Sequence, residues 1–436
     1  MKKSLLGSLL LASALTLSAC AGGGAGTDAG GGDSGGGGEA SGDRSLLIWV
    51  DTVREPACQS YQESVAGTID VTCEVVGQEE ILPKIQLANT AGEGWPDVVF
   101  SPPNSAAIYA EESNGYALNL SEYVDPAIFE GYNTANDWCL IDGSYYCLKN
   151  DLAQTVFWYD TVIFDELGLT VPTTMDEYAE TALALQGTGY SGGAIGDQGF
   201  YAGYLWPSGC PVADVQDPTT VRINPDAPEC TRVFELMQPL VDAGVIETRS
   251  IFDAGFLADV AQQQKLAMTI GPSWFGEFVW RPEDSFNTPE GRVAAAPMPR
   301  WDGEDTAWSG EWGGGIWVAS SHAANPQDAA DAAVYLATDP DMREDKVTFP
   351  GYQPAFEKWA ARVGADPYYA SDPTVAMVEQ ASKIRQDNNP VRFDMRGQIG
   401  VLQTELNGGA SIEDATRTFM QSLIELAPGV GYTVVE

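Results

Sequence analysis

Short apolar runs alternate along the chain with segments that carry helix signals. Residues 46–50, 96–100 and 155–159 are mostly aliphatic and aromatic and have the length of buried strands. Strands that alternate with helices are typical of α/β proteins. The pattern therefore predicts an α/β fold with mainly parallel sheets, whose ligands bind beyond the carboxyl ends of the strands.

Capping residues mark the starts of predicted helices. Thr174 and Glu177 have the spacing of a capping box, and the helix that they open is expected to end at Gly187. Ser411 has the same role before the last helix. The apolar face of that last helix is formed by Ala415, Phe419, Leu423 and Leu426.

The amino-terminal segment has the layout of an export signal followed by a linker. Lysines precede an apolar run over residues 5–17, which is shorter than the roughly 20 residues that span a bilayer. After Cys20, 12 of the 24 residues 21–44 are Gly, and such a segment buries too little apolar surface to order itself. We therefore predict a signal peptide over residues 1–19 and a flexible tether over residues 20–44.

The sequence Leu-Ser-Ala-Cys that ends at Cys20 resembles the lipobox of bacterial lipoproteins. This resemblance implies cleavage before Cys20 and attachment of lipid to its sulfur. The alternative is an ordinary export signal with a coincidental cysteine. The Gly-rich tether that follows favours the lipoprotein, because it would let an anchored domain reach a membrane partner.

Chain length and charge limit the class of protein. Residues 45–436 are too many for one ordinary core and suit two lobes. Lys and Arg supply 22 charges against 62 from Asp and Glu, for a net charge of −40. This balance argues against nucleic-acid binding and against direct adhesion to anionic lipid. A solvated extracellular surface explains the acidity without any specific ligand.

Six cysteines remain after Cys20, and an even number in an exported chain indicates disulfides. Asp142-Gly143 is a strong hairpin signal that would place the flanking cysteines opposite one another. Similar short spacings predict sequential pairing, with each loop closure contributing about 3 kcal/mol. A metal site is disfavoured because the chain has one histidine, His322, and no CxxC motif. The predicted pairs are Cys58–Cys73, Cys139–Cys147 and Cys210–Cys230.

Several motifs occur in an order that is known from one protein family. They are Trp-Pro-Asp-Val-Val-Phe at 95–100, the strand, helix and capping segments over 156–178, the apolar strand with Gly-Pro-Ser-Trp at 265–274, and the segments 297–299 and 313–318. Together they resemble the carbohydrate-specific extracellular solute-binding proteins of ABC importers, which include maltose-binding protein. Met175 departs from the family pattern, which has Trp at this position.

The resemblance implies two α/β lobes in a type II periplasmic-binding-protein fold, with a sugar held in the cleft between them. Crossing segments are expected near residues 151–153, Pro297 and residues 352–354, and hinge motion would close the lobes. The implied partners are a carbohydrate and the transmembrane permease subunits of the importer. A monomer, anchored by lipid on the extracellular face of the membrane, is expected. The implied lobes are 45–152 plus 298–350, and 153–297 plus 351–436.

A sugar site needs aromatic platforms for the apolar ring faces and fixed polar groups for the hydroxyls. Trp274 follows a predicted strand, and the resemblance implies a stacking aromatic at this position. Trp308, Glu311 and Trp312 lie in a Gly-rich segment that would permit close approach of the backbone. The alternative for each Trp is packing in a half-buried environment.

Other candidates come from predicted loops at the carboxyl ends of strands. Asp51 follows the first strand, Asn104 follows the Pro-Asp strand, and Asp151 precedes the first crossing. Carboxylates and amides at these positions could accept or donate hydrogen bonds to sugar hydroxyls. Further candidates with ordinary structural alternatives are Trp206, Phe393 and Arg396.

The main alternative function is an enzyme such as a secreted glycosidase. With 62 acidic residues a carboxylate pair is uninformative, and the chain contains neither G-x-S-x-G nor H-E-x-x-H. We therefore expect no catalytic residue and no cofactor. A binder for iron or phosphate is disfavoured, because clusters of Tyr and His or of basic residues are absent from the predicted cleft.

Overall fold

The computed structural model describes residues 44–111, 115–132, 134–339, 348–386 and 391–436. The predicted signal peptide, Cys20 and the tether up to residue 43 lie outside the described residues. Within the described ranges, no helix combines the length and the apolar character that a membrane span requires.

The described strands alternate with helices along much of the chain, which confirms the prediction of an α/β fold. The strands are β1 Ser45–Val50, β2 Asp70–Val75, β3 Val98–Ser101, β4 Leu140–Ile141, β5 Ser144–Tyr145, β6 Leu148–Leu152, β7 Thr155–Asp160, β8 Asp214–Asp217, β9 Thr220–Arg222, β10 Met268–Pro272, β11 Val293–Ala296, β12 Gly315–Ala319, β13 Phe349–Pro350 and β14 Thr433–Val435.

The helices range from single turns to about four turns. The α-helices are α1 Glu55–Ser64, α2 Gln78–Ala91, α3 Ala106–Ala110, α4 Pro126–Glu130, α5 Thr161–Leu167, α6 Met175–Leu183, α7 Gln198–Phe200, α8 Pro228–Asp242, α9 Ala254–Phe256, α10 Pro326–Thr338, α11 Gln353–Gly364, α12 Thr374–Ala381, α13 Met395–Asn407 and α14 Ile412–Leu426. Short 3₁₀ turns are Pro103–Ser105, Leu120–Glu122, Asp137–Cys139 and Ala427–Val430. The π-helical turns are Tyr201–Leu205, Leu257–Ala261 and Gly276–Trp280.

The first sheet has the strand order β13-β6-β12-β3-β1-β2, and the second has the order β10-β7-β11. Only β1 with β2 and β1 with β3 are parallel in these two sheets, and the other pairs are antiparallel. The prediction of mainly parallel sheets is therefore wrong. Strands β6, β12 and β13 adjoin segments that connect the two sheets, so a local strand–helix–strand crossover does not set their direction.

Each sheet organises its own hydrophobic core. Alternate residues of β1 point to opposite faces of the first sheet, so Ile48 packs on one side and Trp49 on the other. This first core also contains residues from Ile316 to Ala337, which return late in the sequence. The second core extends from Leu152 through Trp312 and on to Tyr432. Two separate cores match the two-lobe fold that the sequence predicted.

Three disulfides are present in the described residues, with the pairing that the spacing predicted: Cys58–Cys73, Cys139–Cys147 and Cys210–Cys230. The second closes the hairpin of β4 and β5, whose turn residues Asp142 and Gly143 have φ values of 50° and 83°. Positive φ at both positions is the requirement of a type I′ turn, which explains the Asp-Gly sequence.

Side-chain caps fix the predicted helix starts. The Thr174 hydroxyl accepts a hydrogen bond from the Glu177 backbone N–H at 3.1 Å, and Ser411 accepts from Asp414 at 3.0 Å. Helix α6 ends at Leu183 rather than at Gly187, because turns replace the regular helix before the left-handed Gly187. In α14 the predicted apolar face is buried except for Leu426, which is the last residue of the helix.

Candidate ligand-binding cleft

Three segments connect the first sheet with the second lobe. Residues 153–154 join β6 to β7, residues 297–314 join β11 to β12, and residues 351–352 join β13 to α11. The backbone N–H of Thr155 donates to Gly310 at 3.0 Å, and that of Trp312 donates to Ala153 at 3.0 Å. These bonds keep the middle segment beside β7 as far as Trp312. The second crossing therefore lies at residues 313–314 and not near Pro297, as the sequence suggested.

Glycines at this crossing adopt a conformation that other residues rarely reach. Gly313 and Gly314 have φ values of 90° and 75°, in the left-handed region. A Cβ on Gly314 would lie 3.1 Å from the carbonyl oxygen of Asp151. The backbone of one crossing segment thus passes close to the next, which brings Asp151 and Trp312 to the same cleft.

A buried ion pair ties the first two crossings together. The Lys149 ammonium lies 2.9 Å from each carboxylate oxygen of Glu311, and both side chains are almost fully buried. Oε1 of Glu311 also accepts from the Ala153 backbone N–H at 3.2 Å. The sequence suggested Glu311 as a sugar-binding carboxylate. In the structure this carboxylate pairs with Lys149 and also lines a recess of the cleft, because the crossings place the two residues side by side.

Between the two cores lies a first recess of about 330 Å³, partly open to solvent, which we call the aromatic recess. Trp274 follows β10 and begins the turn that carries Phe278. The Trp274 indole N–H donates to the carbonyl oxygen of Trp312 at 2.8 Å, and its ring packs at a steep angle against Trp312 and Phe275. These contacts hold a half-buried indole in one orientation beside the exposed rings of Phe252 and Phe278.

Charged groups form the opposite wall of the aromatic recess. Asp51 accepts hydrogen bonds from the Arg54 backbone at 2.9 Å, the Arg54 guanidinium at 3.1 Å and the Gln78 amide at 2.6 Å. Asp151 is fully buried, and its Oδ1 accepts from Asn150 at 2.6 Å. Its Oδ2 lies 3.5 Å from the Arg54 guanidinium but accepts no hydrogen bond from any described residue. The buried Asp151 carboxylate is therefore compensated by the Arg54 guanidinium, and it holds that cation at the wall of the recess.

The aromatic recess continues into a second, smaller recess, the inner recess. Asn104, Trp138, Tyr201 and Trp206 line it. The Trp206 indole N–H donates to the carbonyl oxygen of Arg385 at 2.8 Å, which fixes this ring. Residues that line both recesses are Gln78, Gln198, Gly313, Gly314 and Arg396.

The matching family model is that of the bacterial extracellular solute-binding proteins, and it aligns with residues 57–377, well over half of the chain. The chain belongs to this family. The resemblance seen in the sequence motifs is therefore confirmed. No curated protein matches this solute-binding protein.

Solved structures share the fold of this solute-binding protein at low identity. The ABC transporter associated binding protein from B. animalis subsp. lactis Bl-04, in complex with β-1,6-galactobiose, has a TM-score of 0.71 and 20% identity, over 91% of this chain and 100% of that one. The GacH receptor of Streptomyces glaucescens GLA.O has a TM-score of 0.66 and 18% identity, over 90% and 100%. The galacto-N-biose-/lacto-N-biose I-binding protein from Bifidobacterium longum has a TM-score of 0.71 and 14% identity, over 91% of this chain and 100% of that one.

Most of the residues singled out from the sequence meet in the two recesses of this solute-binding protein. Those that line a recess are Asp51, Asn104, Asp151, Trp206, Trp274, Glu311, Trp312 and Arg396. Trp308 and Phe393 are not among the described residues that line either recess. Trp308 instead packs under the Arg385 guanidinium at 4.8 Å, and Phe393 is buried against Tyr432. Sequence position near the cleft did not reveal which way these two rings point.

Several cleft residues were not found from the sequence. Arg54 and Gln78 lie beyond the carboxyl ends of β1 and β2, where an α/β sheet binds ligands, so that position was an available signal. Gln198 begins a short helix, and Trp138 directly precedes a disulfide cysteine. Neither carried a recognisable pattern. In the described part of the chain, no cluster of His, Cys, Asp and Glu is arranged to hold a metal ion.

A buried carboxylate supports the loop that carries Gln198. Asp197 accepts hydrogen bonds from the backbone N–H groups of Gly199 and Ile251, both at 2.8 Å, and from the Ser250 hydroxyl at 2.9 Å. These bonds favour the charged form, but burial outweighs them and raises the pKa of Asp197 to about 6. The folded protein therefore holds this proton more tightly than the unfolded chain does.

Asp197 should make stability rise as the pH falls from 7 to 5, because the folded state binds the proton first. Relative to Asp197→Asn, the free energy of unfolding of the unaltered protein should increase by about 1 kcal/mol over this interval. Urea unfolding of both proteins at several pH values measures the difference. Asp217→Asn is the control, since hydrogen bonds from Thr219 lower the pKa of Asp217 and no such increase is expected. If the difference in free energy of unfolding between the unaltered protein and Asp197→Asn does not change with pH, the raised pKa of Asp197 is wrong.

Proposed function

We propose that this solute-binding protein captures a carbohydrate, and specifically an oligosaccharide, in the cleft and delivers it to the permease of an ABC importer. The observation that carries this proposal is the pairing of opposite walls in the aromatic recess. One wall offers the held indole of Trp274 and the rings around it, which suit the C–H face of a sugar. The other offers the polar groups of Asp51, Arg54 and Gln78, which suit sugar hydroxyls.

The ligands of similar structures support a carbohydrate. Proteins of the same fold are described in complex with β-1,6-galactobiose, with acarbose and with lacto-N-biose. These share sugar rings with several hydroxyl groups but differ in linkage.

The proposed lobes are close to those that the motifs implied, 45–152 plus 298–350 and 153–297 plus 351–436. We place the second boundary later, near Gly314, because Met298, Trp301 and Trp312 belong to the second core. Arg396, from the second lobe, donates to Gln78 of the first at 2.8 Å. Contacts of this kind support a cleft that closes over its ligand by hinge motion.

The proposed location is the extracellular face of the cell membrane, as a monomer held by lipid on Cys20. Arg44, the first described residue, donates through its Nε to the buried Asp328 carboxylate at 2.8 Å. The proposed tether, residues 20–44, ends at this residue. A Gly-rich chain of this length spans roughly 25–30 Å, enough for repeated contact with a permease in the same membrane.

Cys20→Ala should release the exported protein from the membrane and leave oligosaccharide affinity unchanged, because the cleft lies beyond the tether. Membrane and soluble fractions of the producing cells are compared by immunoblotting, and affinity is measured on the released protein. A matched substitution within the tether, Ser34→Ala, should leave the protein in the membrane fraction. Continued membrane partitioning of Cys20→Ala would show that lipid on this cysteine is not the anchor.

Binding without turnover separates this function from the enzyme alternative. The soluble domain is titrated with a panel of oligosaccharides while Trp fluorescence and product formation are followed together. A saturable fluorescence change with no product supports the proposal. Product formation, or the lack of any saturable response across the panel, would overturn it.

A further inference from the structure

Beyond the inner recess lies a third, larger recess, which we call the outer recess. Its walls come from the hairpin of β4 and β5 on one side and from the segment around β8 on the other. It therefore continues the cleft between the lobes. The polar and aromatic side chains that line it include Asp137, Asp142, Tyr146, Asp217 and Tyr432.

The outer recess has the chemistry that a further stretch of sugar chain would require. The half-buried ring of Tyr146 presents apolar surface, and the carboxylates of Asp142 and Asp217 are exposed acceptors. Arg392 reaches over the Tyr432 ring at 4.2 Å and lies 3.9 Å from Glu111 of the other lobe. The recess thus combines rings with hydrogen-bonding groups from both lobes.

One side chain is shared by the outer recess and the inner recess. Of the described residues, Trp138 alone lines both. By contrast, the inner and aromatic recesses share five residues and are open to one another. The connection between the inner and outer recesses therefore depends on where the Trp138 ring lies.

Trp138 is held across the cleft by contacts to both lobes. Its backbone precedes Cys139, which is buried in the first core, and its ring packs against the second core. The ring stacks on Trp206, with centroids 5.5 Å apart and planes 16° from parallel. The Lys149 ammonium lies 5.0 Å from the centre of the Trp138 ring. Asn136 steadies the preceding backbone, because its amide oxygen accepts from the Lys149 backbone N–H at 2.7 Å.

We propose that Trp138 is a partition that determines the length of oligosaccharide the cleft accepts. This inference rests on the proposed carbohydrate function and adds a specificity-determining residue to it. With the ring in place, a short oligosaccharide fills the aromatic and inner recesses and ends against Trp138. A longer chain enters the outer recess only if the ring leaves its stack on Trp206.

Removing the Trp138 ring should change how affinity depends on oligosaccharide length. We compare the unaltered protein with Trp138→Ala by calorimetric titration, using malto-oligosaccharide and β-galacto-oligosaccharide series from disaccharide to hexasaccharide. The affinity of Trp138→Ala for the disaccharide should fall about tenfold, because a stacking surface is lost, while affinity for the hexasaccharide holds or rises. The ratio of the two affinities should thus shift by about tenfold or more toward the longer sugar.

Companion variants separate this role from others. Trp138→Phe keeps a ring at the partition and should restore most of the original profile. Adding Tyr146→Ala to Trp138→Ala should remove the gain for the hexasaccharide, because that sugar would then reach the outer recess. Trp308→Ala removes a Trp outside the recesses and should leave the profile unchanged.

Each result bears on a distinct claim. If Trp138→Ala weakens all lengths by the same factor, the residue only helps the lobes to close, and the partition is wrong. Trp138→Ala could change the ratio of hexasaccharide to disaccharide affinity while the added Tyr146→Ala has no effect on that ratio. In that case the longer sugar does not use the outer recess, and the role given to the outer recess is wrong. If the unaltered protein binds no member of either series, the proposed oligosaccharide function fails for these sugars, and the partition fails with it.

Discussion

Trp274→Ala is expected to weaken oligosaccharide binding by roughly ten- to a hundredfold. A sugar face that covers about 50–100 Å² of the ring contributes on the order of 1–2.5 kcal/mol by apolar burial, and about 1.4 kcal/mol corresponds to one decade of affinity. The indole N–H is held by the Trp312 carbonyl oxygen, so the ring is already placed before a ligand arrives. Binding therefore does not have to order this side chain.

The measurement is a calorimetric titration of Trp274→Ala with the tightest ligand from the oligosaccharide panel, together with its melting temperature. Trp308→Ala is a matched control, because Trp308 is also half-buried but packs under Arg385 outside the recesses. The oligosaccharide affinity of Trp274→Phe should lie between those of Trp274→Ala and Trp308→Ala, since it keeps a smaller ring and loses the hydrogen bond. Unchanged affinity with a large drop in melting temperature would show that Trp274 is a packing residue.

Lys149→Met is expected to lower the free energy of unfolding by about 3–5 kcal/mol, because it leaves the Glu311 carboxylate buried without its cation. Urea unfolding measures the loss. The double variant Lys149→Met/Glu311→Leu should recover most of the stability, since neither charge then remains buried. The matched control is Lys84→Met, which removes a cation from an exposed pair with Glu80. Lys84→Met should lower the free energy of unfolding by less than about 1 kcal/mol.

Two results would contradict the role given to the Lys149–Glu311 pair. A loss for Lys149→Met no larger than for Lys84→Met would mean that water or another donor compensates the carboxylate. A double variant as unstable as the single one would mean that packing around Lys149, rather than the unpaired charge, causes the loss. Lys149 also lies near the Trp138 ring, so the double variant should be examined for ligand affinity as well.

The elements that the sequence predicted correctly depend on neighbours in the chain. The caps at Thr174 and Ser411 form within three residues, and the Asp142-Gly143 turn places Cys139 opposite Cys147. Apolar runs such as β1 identify buried strands because their pattern is also local. These features need no knowledge of which distant segments meet.

The candidate site was predicted in part for the same reason. Residues just beyond a strand lie at the edge where ligands bind, so strand position indicated Asp51 and, together with the family resemblance, Trp274. The direction of a ring within an irregular loop has no such rule. Phe393 turned toward Tyr432 and Trp308 toward Arg385, although both lie in segments that border the cleft.

Four features could be predicted from the sequence: the family, the alternation of strands and helices, the helix starts and the pairing of nearby cysteines. Other features depend on tertiary contacts: the direction of the later strands, the position of the second crossing and the partner of each charged group in the cleft. Lys149 and Glu311 are 162 residues apart, and Gln78 and Arg396 are 318 apart. Contacts at such separations leave no local pattern, because they form only when the two lobes have folded and the crossing segments bring them together.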